Sequence, residues 1–220
     1  MLREPDEPGE RDEGGERGER DEGGERGERR GTDRPLLYLD VDGPLNPYAA
    51  KPERRPAGYT THRMKPRGWL AQHPGQPEAY VKPLRVWLNP EHGRQLLQLA
   101  ALFDVTWATT WAGEANTCIA PVLGLPELPV VEWPAGPGPS GPPRVPGTVA
   151  NPGIFWKTRR LVEHAAGRPF AWVDDEIGPA DREFVAAHHH GSALLHRVDP
   201  RLGLRDPDFT TLAAFARTTG

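Results

Sequence analysis

The chain has 220 residues, 36% of them hydrophobic and 26% charged, with a formal net charge of −4. That length supports one domain with its own core and needs no disulfide or metal to fold. The charge is uneven: residues 1–35 carry eight Arg against thirteen Asp and Glu and sum to −5, which leaves the rest at +1 and weakens any whole-chain argument for a basic partner or an acidic substrate.

Taken in chain order, residues 9–17 read GERDEGGER and residues 18–26 repeat that string unchanged. Met1 and Leu2 are the sizeable apolar side chains before Pro35, so residues 1–34 cannot bury enough surface to offset their ordering entropy and are expected to be a disordered tail. The first 30 residues lack an apolar h-region, predicting no secretory signal. The longest apolar-rich run, Leu96 to Phe103, is far short of the ~20 residues a membrane span requires. Cys118 is the single cysteine, which excludes an internal disulfide framework and a Cys-based zinc site and fits a reducing compartment. A soluble, cytoplasmic protein is expected.

The body, residues 35–220, begins with Leu36-Leu37-Tyr38-Leu39, an unbroken apolar run of the kind expected for a strand covered on both faces of a parallel sheet. A hairpin is expected from Tyr59–Met64 and Tyr80–Trp87. Asn89-Pro90 reads as a helix N-cap followed by proline at the first helical position, with the helix running to about Leu102. Phe103 to Thr109 follows as a strand, Glu114 to Leu123 as a helix and Leu128 to Glu132 as a short strand. Residues 134–153 hold seven Pro and five Gly and predict a loop. Ile154 to Ala166 reads as a helix, Phe170 to Val173 as a strand, Pro179 to His188 as a helix, Ala193 to Val198 as a strand and Phe209 to Arg217 as a last helix. The alternation implies an α/β fold, a Rossmann-like parallel sheet with helices on both faces.

Two of these strands run into paired carboxylates, Asp40-Val41-Asp42-Gly43 and Asp174-Asp175. Ligands of open α/β sheets bind beyond the carboxyl ends of strands. Four acids gathered there repel one another unless a cation neutralises them, and hard oxygen donors suit Mg²⁺. A third strand ends at Thr109-Thr110, and Lys157 follows the Pro/Gly loop. Nucleophile, metal, hydroxyl and ammonium together are the parts that phosphoryl transfer uses.

LLYLDVDGPLN, VTWATTW, WKTRR and FAWVDDE, in that order, resemble the four motifs of the haloacid dehalogenase (HAD) superfamily over roughly residues 36–215. VWLNPEH, LGLPELPVV, WVDDE and VDPRLGL are similar to the HAD domain of Swiss Army Knife RNA repair proteins. The resemblance implies a HAD-like domain with an aspartyl-phosphate mechanism. Asp40 would be the nucleophile and Asp42 the general acid and base, the latter favouring phosphate over dehalogenase chemistry. Thr109, or Thr110 if the register is one residue on, would bind a phosphoryl oxygen, and Lys157 would neutralise charge. Asp174 and Asp175 would hold Mg²⁺ beside Asp40 and the backbone carbonyl of Asp42.

A calcium loop at Asp40 needs an oxygen donor at position 44 and an acid at position 51, where Pro44 and Lys51 stand. His188-His189-His190 reads as a solvated helix end, because consecutive histidines on a helix point in different directions. Trp111 reads as core, with stacking on a base as the functional alternative. Residues 44–88 have room for a small cap-like insertion at most. Within them Lys51, Arg54, Arg55, Arg63, Lys65 and Arg67 face only Glu53 over residues 44–67, a local sum of +5 and a candidate rim for an anionic substrate. The expected activity is therefore removal of a phosphomonoester, with an RNA or nucleotide end phosphate as the narrower candidate and no partner protein evident. The rival is a non-catalytic phosphate- or metal-binding regulatory module with a disordered interaction tail.

Overall fold

The structure, a computed structural model, describes residues 34–133 and 153–219. The expected tail and the Pro/Gly loop fall outside these residues, apart from Arg34 and Gly153. Arg34 belongs with the body: its guanidinium donates to the Ala100 carbonyl and to Asp104, and its own carbonyl accepts from Arg168.

Four strands, β1 (Leu36–Leu39), β4 (Asp104–Trp107), β5 (Phe170–Asp174) and β6 (Ala193–Arg197), form a parallel sheet in the order β4-β1-β5-β6. The inserted β2 (Thr60–Met64) and β3 (Leu84–Leu88) pair antiparallel as a separate hairpin. The helices are α1 (Arg67–Ala71), α2 (Pro90–Ala100), α3 (Ala120–Leu123), α4 (Thr158–Ala165), α5 (Pro179–His188) and α6 (Asp206–Thr219). The fold is mixed α/β, a four-stranded parallel sheet flanked by helices and compatible with a Rossmann-like arrangement. Among the described residues, no helix is long and apolar enough to cross a membrane.

Period-two alternation along the strands explains why both faces are apolar. Leu37, Leu39, Val105, Trp107, Ala171 and Val173 share a core with Leu96 and Leu99 of α2, Leu123 of α3 and Phe209 and Leu212 of α6. Their sequence neighbours Leu36, Tyr38, Phe170 and Trp172 point the other way, onto Leu161 of α4 and Val185 of α5. All four residues of β1 are buried, which is why this strand reads as a continuous apolar run.

Several elements depart from the sequence pattern for local reasons. The segment expected as a helix from Glu114 breaks into a π-helical turn, Ala115–Ile119, followed by α3. Pro121 has no N–H to continue the ladder, and the turn widens so that Ala120 N–H reaches the Ala115 carbonyl. The expected strand Leu128–Glu132 reduces to one parallel bridge, Val130 beside Trp107. Pro126 and Pro129 deny it the donors a longer ladder needs. α4 starts at Thr158 rather than Ile154, and α6 starts earlier than expected, at Asp206. The Asn89 cap forms as expected, its side chain accepting from Glu91 N–H at 3.1 Å. At the end of α5 the histidine run is not wholly solvated. His189 is buried against Phe170, because the chain turns to extended backbone there and swings that ring inward.

Counting the Val130 segment, the sheet reads 3-2-1-4-5 in strand succession, and the order reverses between β1 and β5. Crossovers leave on opposite faces at that seam and open a crevice beyond the strand ends.

Candidate functional site

The crevice between β1 and β5 is where the acidic residues lie. Asp40 follows β1 directly, and its N–H donates to the Val173 carbonyl. The chain then turns tightly: Leu45 and Asn46 N–H both return to the Val41 carbonyl, and Gly43 N–H donates to the Asn46 carbonyl. Gly43 has φ +91°, a conformation that favours glycine, and a Cβ there would lie 2.5 Å from Asp175 Oδ1. The turn therefore brings the backbone of one motif against the carboxylate of the other.

Lys157 reaches the same point from the residue preceding α4. Its segment is pinned by Asp181 of α5. One Asp181 oxygen accepts from Phe155 N–H and the Thr158 hydroxyl, the other from Gly178 N–H. Lys157 is 1% exposed, and its Nζ lies 2.7 Å from Asp40 Oδ2 and 2.8 Å from Asp174 Oδ2. Asp40 Oδ1 accepts from Val41 N–H, and Asp174 Oδ1 accepts from Glu176 N–H. The Trp172 indole N–H also faces Asp174 Oδ2, at 3.3 Å.

Asp42 is half-buried and bonds other partners than Lys157: its Oδ1 accepts from Asn46 Nδ2 at 2.7 Å and its Oδ2 from the Trp111 indole N–H at 2.9 Å. Asp175 accepts from the Tyr48 hydroxyl at 3.0 Å. Thr109 is fully buried at the end of the β4 segment, with its hydroxyl among the groups stabilising the Asp40 carboxylate, whereas Thr110 is exposed. The geometry thus gathers Asp40, Thr109, Lys157, Asp174 and Asp175 closely, holds Asp42 beside them, and leaves Thr110 outward.

Charge is not balanced here. Burial pushes Asp40 above the ordinary carboxylate range, Lys157 opposes it, and Asp42 adds to it. Asp174 is held up at about 6 by burial and by Asp40, against Lys157. Burial and neighbouring charge also raise Asp42 and Asp175. Lys157 shifts above the usual lysine value: burial works against the ammonium, but Asp40 and Asp174 outweigh it. One ammonium among four carboxylates leaves a deficit of positive charge that a cation relieves.

The donor chemistry fits such an ion. Oxygens of Asp40, Asp174 and Asp175 lie within 4.8 Å of one another. A Mg²⁺ shell has oxygens about 2.1 Å from the ion, which puts adjacent donors about 3 Å and opposite donors about 4.2 Å apart, so these side chains draw in to close on an ion. The Asp42 side chain is not part of this trio, which leaves its backbone carbonyl as the donor the motif implies.

Sequence reasoning missed Asn46, Tyr48 and the polar use of Trp111. Asn46 is buried, and besides serving Asp42 it accepts from Trp87 N–H of β3 at 3.0 Å. An Asn followed by Pro reads as a turn, and nothing in the string marks its two distant partners. Trp111 is 8% exposed, so packing is part of its role, but its N–H is spent on Asp42.

No family model, no curated protein and no solved structure matches the chain.

Proposed function

We propose that this protein is a Mg²⁺-dependent phosphohydrolase of the haloacid dehalogenase type, acting on a phosphomonoester through Asp40. The observation that carries this reading is the placement of Asp40. It is buried at the strand-order reversal, one oxygen against the Lys157 ammonium at 2.7 Å, with Asp174 and Asp175 beside it.

In this reading an Asp40 oxygen attacks phosphorus in line, an O–P bond forms to the carboxylate, and the bond to the leaving oxygen breaks. Asp42 gives its proton to that oxygen, then takes one from the water that attacks the aspartyl-phosphate, releasing phosphate and the free carboxylate. The Asn46 and Trp111 donors keep Asp42 aimed while it exchanges that proton. Lys157 and Thr109 stabilise charge on the phosphoryl oxygens. Asp40, Asp174, Asp175 and the Asp42 carbonyl would hold the metal, which supplies charge neutralisation to the phosphoryl group. The resemblance to RNA repair domains makes an end phosphate on a nucleotide or nucleic acid the substrate class to test first.

The test is hydrolysis of p-nitrophenyl phosphate with and without Mg²⁺, beside Asp40→Asn. The expected result is Mg²⁺-dependent turnover, abolished reversibly by EDTA and lowered by at least about a thousandfold in the variant. Full activity in Asp40→Asn overturns the mechanism, and phosphate binding without turnover across a broad substrate panel supports the regulatory module instead.

A further inference from the structure

The β2–β3 hairpin lies between the first motif and the rest of the domain, and its two faces differ. In its register Met64 stands opposite Leu84, and His62 opposite Val86. Val86 and Leu88 enter the main core, with Met64 and Leu84 packed against it. On the other face Thr61 stands opposite Trp87 and Arg63 directly opposite Arg85. The Thr61 hydroxyl accepts from the Trp87 indole N–H and from Arg55 Nη1, each at 3.0 Å, which brings a third guanidinium to the same face. Arg85 lies over the Trp87 ring, 4.0 Å from its centroid, and its guanidinium has no hydrogen bond among the described residues.

Like charges directly opposite on a two-stranded sheet are destabilising. Among the described residues no carboxylate pairs with Arg55, Arg63 or Arg85. Residues 44–88 hold eight Lys and Arg against two Glu, so no local surplus of acid offsets the cost. The hairpin also adjoins the site. Trp87 N–H and the Asp42 carboxylate bind opposite ends of the same Asn46 amide, at 3.0 and 2.7 Å. Arg85 is two residues, about 7 Å of strand, from that contact.

We propose that Arg55, Arg63 and Arg85 form a second anion subsite, which takes a second phosphate of the substrate whose terminal phosphate meets Asp40. The proposal rests on the phosphohydrolase reading and narrows its substrate class to molecules bearing two phosphates, whether a bisphosphate or an end phosphate followed by a phosphodiester. Guanidinium forks match phosphate oxygens in pairs, and an anion between Arg63 and Arg85 turns their repulsion into shared attraction.

The test uses calorimetric titration of the full-length Asp40→Asn protein, which leaves ligands uncleaved. The probes are phenyl phosphate, fructose 1,6-bisphosphate, adenosine 3′,5′-bisphosphate and a 5′-phosphorylated dinucleotide. The expected result is at least tenfold tighter binding of two-phosphate ligands than of phenyl phosphate. Most of that advantage is lost when Arg63→Gln and Arg85→Gln are added, while thermal stability holds or rises because the facing charges are gone. An advantage shared by the sugar assigns the subsite to bisphosphates at large, and one confined to the nucleotides assigns it to the nucleoside class. Equal binding of one- and two-phosphate ligands, or an advantage that survives both substitutions, overturns the proposal. Turnover by the wild type is scored separately: an arginine-dependent preference without turnover rejects the phosphohydrolase and keeps the subsite, and turnover without the preference does the reverse.

Discussion

Asn46 and Asp42 are joined side chain to side chain at 2.7 Å, and the far end of the same Asn46 amide accepts from Trp87 N–H of the inserted hairpin. The proposed acid–base residue is therefore held by the insertion as well as by its own turn. Trp111 holds the second oxygen of Asp42. Both donors favour the ionised carboxylate and oppose the burial that raises its pKa. Removing either donor raises that pKa further, so the pH limb governed by Asp42 moves upward. For Asn46→Ala, kcat is expected to fall roughly ten- to a hundredfold, part of what positioned proton transfer contributes, with KM changed little. Trp111→Phe keeps most of the packing and gives a smaller loss with the same direction of shift. Steady-state kinetics from pH 5 to 9 check this, and an unmoved limb in both variants refutes the clamp.

Gly43 tests the contact between the two acidic motifs. Alanine there meets strain from φ +91° and places a Cβ 2.5 Å from Asp175 Oδ1, so Asp175 must move. Gly43→Ala should cost about 1–3 kcal/mol of stability and weaken Mg²⁺ affinity by on the order of tenfold, the range expected when a supporting contact of a metal ligand is lost. Gly124→Ala is the control: its φ is +66°, but nothing lies within 4 Å of the added Cβ. It should lose stability without losing metal affinity, as read by Mg²⁺ titration beside thermal melts.

Among the described residues, Lys157 is the sole ammonium bonded to two buried carboxylates in this site. Lys157→Met keeps much of the stem volume and leaves Asp40 and Asp174 unpaired. Stability at pH 7.5 should fall by about 3–5 kcal/mol, as when one partner of a buried pair is removed. Asp40 and Asp174 already sit above ordinary carboxylates and rise further without the ammonium. At these two sites the folded variant then binds more protons than the unfolded chain, so the deficit relative to the wild type shrinks as pH falls from 7.5 toward 5. Urea unfolding at several pH values, repeated with Mg²⁺, measures both the loss and its recovery.

What could be read from the string follows the range of the interactions. β1 was legible because burial on both faces leaves four apolar residues in a row, and α2 because Asn89-Pro90 is a local cap. The carboxylates were legible because each sits directly at a strand end. Asn46 and Tyr48 were not, since the Asn46–Trp87 and Tyr48–Asp175 contacts join residues 41 and 127 positions apart. Thr109 and Thr110 could be told apart only once β4 lay beside β1, which turns Thr109 inward and Thr110 out. The π turn before Pro121 escaped because the apolar spacing is the same for an unbroken helix.

His92 supplies a stability test independent of catalysis. It is 3% exposed, packs edge-on against Tyr59 and against Phe209, and its Nδ1 has no hydrogen-bond partner among the described residues. Burial lowers its pKa from 6.5 to about 4, with a hydrogen bond to the Leu204 backbone opposing. The folded protein therefore keeps this ring neutral where the unfolded chain protonates it. Its contribution is fully present above pH 6.5, is lost as pH falls toward 4, and changes no further below that. The loss amounts to on the order of 3 kcal/mol. His164 and His189 are lowered by burial too and act in the same direction, whereas the raised carboxylates Asp40, Asp42, Asp174 and Asp175 act in the opposite one, so the His92 contribution is read as the difference between wild type and variant. Relative to the wild type, His92→Leu should gain stability progressively between pH 6.5 and 4 in urea midpoints, and an unchanged slope refutes the assignment to this ring.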